Sequence, residues 1–265
     1  MNKATKAPLL MERDGAVTII SINDDPLNRM CLEFIDELEI QVNMLAKDSS
    51  VRAVVITGEG EANFSVGMHL KQLVTEADKR GGFEVILDQR LRVLSLIENM
   101  GKPFITTLFG YCLGGGLELP LACHFRLAAE EGSRIGLPEL DLGAVPAWGG
   151  SARLTRCVGR MHALDMILRA KHISGPEAYR IGLVNEVVPN KELKNRAREI
   201  AHELAEMPPR SVSEMMRCVI KVGERTLMDG LYEERRAVLA TSGTKDSQEG
   251  MMAFLEKRKP VFTGE

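Results

Sequence analysis

The sequence predicts an α/β fold built around a parallel sheet. Three observations carry this. Apolar, β-branched runs of strand length recur at residues 16–22, 51–57 and 103–109. Segments of helical periodicity separate them. The second and third runs end in glycine, at Gly58 and Gly110. Strand, helix, strand in this order implies βαβ units with right-handed crossovers. Ligands of such sheets bind at the carboxyl ends of the strands.

The elements follow in chain order. Residues 16–22, AVTIISI, read as a buried strand closed by the turn formers Asn23-Asp24-Asp25-Pro26. Residues 31–47 place Leu32, Ile35, Leu38, Val42 and Leu45 on one helical face. Residues 51–57, VRAVVIT, form the second strand, 83–99 a second long helix, and 103–109, PFITTLF, the third strand. From about residue 150 helical patterns dominate, at 151–170, 176–182 and 191–207. Pro208-Pro209 breaks the chain, and 211–240 and 246–258 read as charged helices. Met215, Met216, Met251 and Met252 add apolar area there, as intrachain core or as a subunit interface.

The chain has 265 residues, which suits one core domain with a smaller appendage. It is 45% hydrophobic and 27% charged, values of an ordinary globular protein. The formal net charge is −3, so nothing overall draws it to nucleic acid or to an anionic membrane. No apolar run reaches the roughly 20 residues that span a bilayer, and the opening MNKATKAPLLMERDG has no stretch of leader type. The five cysteines are an odd number without a CxxC pair, as expected of reduced thiols in a cytoplasmic protein. The five histidines show no metal spacing, and no metal site is expected.

Three segments could carry chemistry. Gly114-Gly115-Gly116-Leu117-Glu118 sits at a strand-to-helix junction, where a helix opening aims free N–H groups and a positive dipole end at a ligand. A tight turn without a ligand would look the same. The pattern is neither GxGxxG nor a P-loop. Glu118 is either a solvated first-turn acid or a buried acid/base group, and the apolar stretch from Leu117 to Cys123 favours burial. Ile135-Gly136-Leu137-Pro138-Glu139-Leu140 places a second acid in an apolar, proline-stiffened loop ahead of Ala147-Trp148-Gly149-Gly150. Two acids facing one site would titrate as a coupled pair suited to acid/base work. Phe64-Ser65-Val66-Gly67-Met68-His69-Leu70 follows the second strand, and Gly67 would turn the Met68 N–H toward that of Gly115. Two convergent backbone donors would make an oxyanion hole. For His69 a structural or substrate-shaping role outweighs proton transfer. No nucleophile motif is evident.

Taken together, these segments resemble the crotonase, or enoyl-CoA hydratase/isomerase, family. The likeness covers nearly the whole chain. It runs through DPLNRM at 25–30, FSVGMHLKQL at 64–73, GYCLGGGLEL at 110–119, LPELDLGAVPAWGG at 137–150, GLVNEVVP at 182–189 and EGMMAFLEKRKPVF at 249–262. The resemblance implies a crotonase-like (ClpP/crotonase) spiral of ββα units over residues 1–200. A C-terminal helical trimerisation region would occupy 201–265, in a homotrimer or a homohexamer made as a dimer of trimers. It implies acyl-CoA thioesters as ligands, with coenzyme A as part of the substrate and no separate cofactor.

The thioester oxygen would be held by the N–H groups of Met68 and Gly115, and a water between Glu118 and Glu139. Members that only isomerise double bonds typically lack the first of these glutamates. Having both favours syn addition of water to a 2-enoyl-CoA, with Glu118 as base and Glu139 as acid. The resemblance also implies CoA contacts from the backbone at Pro26, Leu27, Val66, Met68 and Leu70, with Lys71 near the phosphates. Phe254 and Lys257 would reach CoA from the C-terminal helix, often across a subunit boundary. Gly114 and Pro138 would flank the acyl group.

This sequence departs from the family pattern in places. Met68 stands where alanine is common and His69 where aspartate is common. Ala147 and Trp148 occupy the glycine-rich turn that in the family lines the site near the water, and Arg29 replaces a small residue in the first turn. These departures point to an acyl group other than a simple straight chain, or to altered chemistry. The alternatives to hydration are another crotonase-type reaction, such as isomerisation or thioester hydrolysis, and a non-catalytic acyl-CoA- or RNA-binding role, with the charge of −3 counting against RNA.

Overall fold

The computed structural model describes residues 6–265; Met1–Thr5, the start of the segment read for a leader and of the 1–200 core, lie outside the described residues. The sheet begins with a hairpin, β1 (Leu9–Asp14) and β2 (Val17–Ile22), joined through Gly15. Helix α1 (Leu32–Lys47) leads to β3 (Ala53–Gly58), then a short helix α2 (Leu70–Glu76) and the long helix α3 (Phe83–Glu98). Strands β4 (Phe104–Leu108) and β5 (Tyr111–Leu113) precede α4 (Gly115–Ala122), and β6 (Phe125–Ala129) and β7 (Arg134–Gly136) precede α5 (Gly150–Leu168). The chain continues through α6 (Gly175–Arg180), β8 (Glu186–Val188) and α7 (Asn190–Ala205). It ends in α8 (Pro209–Ile220), α9 (Leu227–Thr241) and α10 (Lys245–Glu256).

The main sheet has six strands in the order β1-β2-β3-β4-β6-β8. Only the β1–β2 pair is antiparallel; the register runs in parallel from Ile20 to Ile56 and from Ile56 to Thr106. β5 and β7 form a second, two-stranded parallel sheet. Isolated bridges extend that layer, pairing Met30 with Met68 and Ser65 with Cys112. Each turn of the chain therefore lays one strand in the large sheet, one short extended piece in the small layer, and then a helix. This is the expected ββα spiral. The short pieces all lie at the ends of main-sheet strands, so their loops collect at one place.

The parallel strands are buried on both faces, as their unbroken apolar runs require. α7 crosses β2, β3, β4 and β6, burying Leu193, Ala197 and Ala201. α1 packs on α3, α3 on α4 and α4 on α5. Phe34, Leu38, Val93, Leu94 and Ile97 are fully enclosed there. Each such side chain contributes roughly 1.5–3 kcal/mol by leaving water.

Strands β5 to β8 and the short helix α2 add to the elements read from the sequence, and three further departures stand out. β1 was not expected, because its sequence, LLMERD, buries only Leu9 and is otherwise mostly exposed. It is an edge strand held by its ladder to β2. The single helix expected over 211–240 is two, because a short 3₁₀ turn at Val222–Glu224 intervenes and Thr226 restarts the chain with a capping box to Asp229. The last helix stops at Glu256, with Lys257 in the left-handed region (φ 57°) rather than continuing to 258.

Candidate active site

The loop after β3 is stitched to the first turn of the chain. Met30 N donates to Gly67 O at 2.8 Å, Val66 N to Leu27 O at 3.0 Å, and Gly67 N to Ser65 Oγ at 3.0 Å. Gly67 has φ +89°, and a Cβ there would lie 2.5 Å from Leu113 O and 3.3 Å from Gly115 N. Only glycine permits both the angle and the approach. The approach brings the 65–69 loop against the start of α4. Met68 N and Gly115 N donate to no backbone acceptor among the described residues, and both residues line the same cavity of about 220 Å³.

Glu118, one turn into α4, is 2% exposed. Its Oε1 accepts from Trp148 N at 2.7 Å and from Gly150 N at 2.9 Å. Gly150 is required here, because a Cβ on it would come within 2.8 Å of the same carboxylate oxygen. Burial pushes the Glu118 carboxyl up to about 7; the two N–H donors oppose the shift, and nearby Glu139 adds to it. Glu139 opens a 3₁₀ turn after Pro138. Its Oε1 lies 3.0 Å from where a Cβ on Gly114 would stand, and its Oε2 is buried without a partner. Burial raises this carboxyl too. Two acids with free or backbone-held oxygens thus face one cavity beside two unpaired N–H groups.

Trp148 is 2% exposed and closes the cavity against Gly115, where a Cβ would come within 3.1 Å of the indole. The turn that carries it is held by Arg153, whose Nη1 donates to Trp148 O at 2.8 Å while Nη2 pairs with Glu98 at 2.8 Å. On the face of the indole lies the Arg90 guanidinium, 4.5 Å from the ring centroid. Arg90 is 1% exposed and forms part of the cavity wall. Burial lowers its pKa to about 10, so it remains a cation at neutral pH.

Of the residues singled out in the sequence, the cavity gathers Val66, Met68, Leu70, Gly114, Gly115, Glu118, Pro138, Glu139, Ala147 and Trp148. Pro26 and Leu27 are not in its wall. Their carbonyls accept from Asn63 Nδ2 and Val66 N, so they brace the loop from behind. His69 is also outside the wall: its Nδ1 accepts from Gln72 N at 3.2 Å and caps α2, so it does not crowd the acyl space as Met68 does. Lys71 stands exposed on α2 next to wall residue Leu70. Phe254 on α10 and Lys257 just past its end are exposed and outside this chain's cavity. Arg29 has no bearing on an acyl group; its guanidinium pairs with Asp24 at 2.6 Å and pins the first turn. The sequence reading missed Leu73, Phe83, Arg90, Leu113, Leu142, Ala144 and Val145 as parts of the wall. Arg90 left a signal, since it interrupts the buried face that Ile86, Val93, Leu94 and Ile97 define.

A spiral of ββα units whose loops gather two carboxyl groups and two unpaired backbone donors around one cavity defines a protein of the crotonase fold. The comparisons agree. The Enoyl-CoA hydratase/isomerase family model matches residues 12–265. A probable enoyl-CoA hydratase of Mycobacterium tuberculosis is 36% identical over 262 residues, covering 98% of this chain and 99% of that protein. A short-chain-enoyl-CoA hydratase of Clostridium acetobutylicum is 34% identical over 253 residues, covering 95% of each. The crystal structure of an enoyl-CoA hydratase from Bacillus anthracis superposes with a TM-score of 0.92 at 33% identity, over 97% of this chain and 100% of that one. The chain belongs to the enoyl-CoA hydratase/isomerase family.

Proposed function

We propose that the protein adds water across the double bond of a 2-enoyl-CoA thioester, or removes it in reverse. The observation that carries this reading is the Glu118 carboxylate, fixed by two backbone N–H groups and sharing its cavity with Glu139. The two N–H bonds oppose the burial that raises Glu118 to about 7, so a share of it is ionised at neutral pH and can serve as a base. Glu139, raised by burial and with an oxygen lacking a partner, suits a proton donor.

In this scheme the thioester oxygen accepts from Met68 N and Gly115 N. Glu118 takes a proton from water as the water oxygen bonds to Cβ. The π electrons move onto the thioester oxygen, giving an enolate that the two N–H groups stabilise. The enolate collapses as Glu139 delivers its proton to Cα. Glu118 ends protonated and Glu139 ionised, and a proton exchange restores the starting state. The oxygen at Cβ and the proton at Cα arrive on one face, so the addition is syn. The step is redox-neutral and needs no cofactor beyond the CoA carried by the substrate. Each N–H donor to such an oxygen is worth roughly 10²–10³ in rate, and each positioned acid or base roughly 10²–10⁴.

CoA would lie along Val66 and Leu70, with Lys71 near its phosphates. Phe254 on α10 and Lys257 just past its end, both exposed, would serve the site of a neighbouring subunit. Helices α8 to α10 would form the oligomerisation region of a homotrimer or a homohexamer. Their exposed apolar side chains, among them Leu227, Tyr232, Met251 and Leu255, support that reading.

The test is incubation with crotonyl-CoA, following loss of the conjugated enoyl-thioester absorbance and the product mass. The reading expects a gain of one water, and a fall of roughly 10²–10⁴ in rate for Glu118→Gln and for Glu139→Gln with thioester binding kept. A product of unchanged mass, or release of free CoA, would move the assignment to isomerisation or to hydrolysis.

A further inference from the structure

Arg90 is a poor choice for an acyl pocket meant for hydrocarbon alone. It forms part of a wall whose neighbours include Leu73, Phe83, Leu142 and Val145. Its Nε and Nη2 are buried and have no hydrogen-bond partner among the described residues. These two nitrogens share one edge of the guanidinium, the edge whose parallel N–H groups match the two oxygens of a carboxylate. The chain uses that edge in this way elsewhere. Arg29, Arg92, Arg180 and Arg196 each grip an Asp or Glu through Nε and Nη2. Arg90 alone of these lies in the cavity wall, with the same edge unpaired and no acid of the protein upon it.

Two structural roles fall short of explaining it. Stacking on Trp148 engages the flat face of the guanidinium and leaves its N–H groups unsatisfied. Glu118, the acid that faces Arg90, spends Oε1 on two backbone N–H groups and makes no hydrogen bond to it. Apolar walls and a buried cation with an unpaired fork describe a receptor for a carboxylate at the end of a short aliphatic chain. The Trp148 indole touches both Arg90 and Gly115, with the guanidinium on its face and Gly115 at its edge.

We infer that the acyl groups this protein takes carry a second, free carboxylate, which Arg90 receives through its Nε–Nη2 edge. The substrates are then monothioesters of unsaturated dicarboxylic acids. The inference rests on reading the cavity as the acyl site of a CoA thioester. Both nitrogens are sealed from water, so reaching them takes a side-chain shift in the wall. Trp148, which covers the guanidinium, and Phe83, half exposed at the rim, are placed to give it.

Equilibrium binding of saturated thioesters tests this apart from catalysis. Glutaryl-CoA is compared with butyryl-CoA, and adipyl-CoA with hexanoyl-CoA, by calorimetry. The wild-type protein is expected to bind at least one acid-bearing ester tenfold or more tightly than its neutral counterpart. Arg90→Met should bring that ratio near one, and Arg90→Lys should keep part of it. Equal affinities in the wild type, no binding of either ester, or a preference that survives in Arg90→Met would overturn the inference. The wild-type comparison decides even if the variants fail to fold. A preference without hydration of glutaconyl-CoA or crotonyl-CoA would leave Arg90's role standing and remove the hydratase reading. Hydration of crotonyl-CoA without the preference would do the reverse.

Discussion

Glu118 ties chemistry to stability at the scale of a single residue. Its carboxyl titrates near 7 in the fold against an ordinary value of 4.5, so the folded chain holds this proton more tightly than the unfolded one. The stability so gained is complete below about 4.5 and is lost as pH rises through about 7, a change on the order of 3 kcal/mol. Glu118→Gln escapes that loss. Urea denaturation at pH 5 and at pH 8 should show the variant gaining on the wild type at the higher pH; a gap that does not change with pH would contradict the shift. Trp148 is the only tryptophan, and its backbone N–H donates to this carboxylate. Its fluorescence should therefore titrate with a midpoint near 7, and Glu139→Gln should move the midpoint down by removing the neighbouring charge. If Glu118 is the base, kcat/KM falls as pH drops below that midpoint. Both acids were legible in the sequence because each sits in an apolar stretch beside glycine. Arg90 was not read as part of the site, although its position on an apolar helix face was open to view.

At the scale of elements, the site is made by turns. Gly67 lets its loop approach α4, and Arg153 holds the 147–150 turn whose N–H groups fix Glu118. Gly67→Ala would force a strained φ and a clash with Leu113 O, moving Met68 N. A rate loss of roughly 10²–10³ is expected, matching removal of one donor. Arg153→Met should lower kcat more than it changes thioester affinity, because Arg153 acts through the turn and touches no substrate; an effect confined to KM would contradict this. Strands β2, β3 and β4 were readable from their apolar runs, whereas the parallel strands β6 and β8, of five and three residues, were not. β1 was not, since an edge strand needs little burial. Two overlooked signals were nonetheless present: the Asp14-Gly15 turn and the Thr226–Asp229 capping box. β5 and β7 are three residues each and carry no periodicity to detect.

For the whole molecule, the spiral explains why residues distant in sequence share one cavity. Every short second-layer piece lies at the end of a main-sheet strand, so loops from β3, β5 and β7 converge. That convergence was legible only through the order of the motifs, because no single glycine cluster specifies its neighbours. No helix of the described residues is long and apolar enough to cross a membrane. The exposed apolar faces of α8 to α10, with Phe254 at 81% exposure, predict assembly. Sedimentation equilibrium should give three or six copies of a 29.3 kDa chain, and a monomer at micromolar concentration would contradict it. The central claim is that two glutamates add water to an enoyl thioester. Its most direct test is turnover of crotonyl-CoA and glutaconyl-CoA in ¹⁸O-labelled D₂O, read by mass spectrometry of the intact thioester. The account predicts one ¹⁸O at Cβ and one deuterium at Cα, both lost with Glu118→Gln or Glu139→Gln. An intact thioester that gains deuterium without ¹⁸O, or hydration that persists in either variant, would contradict it.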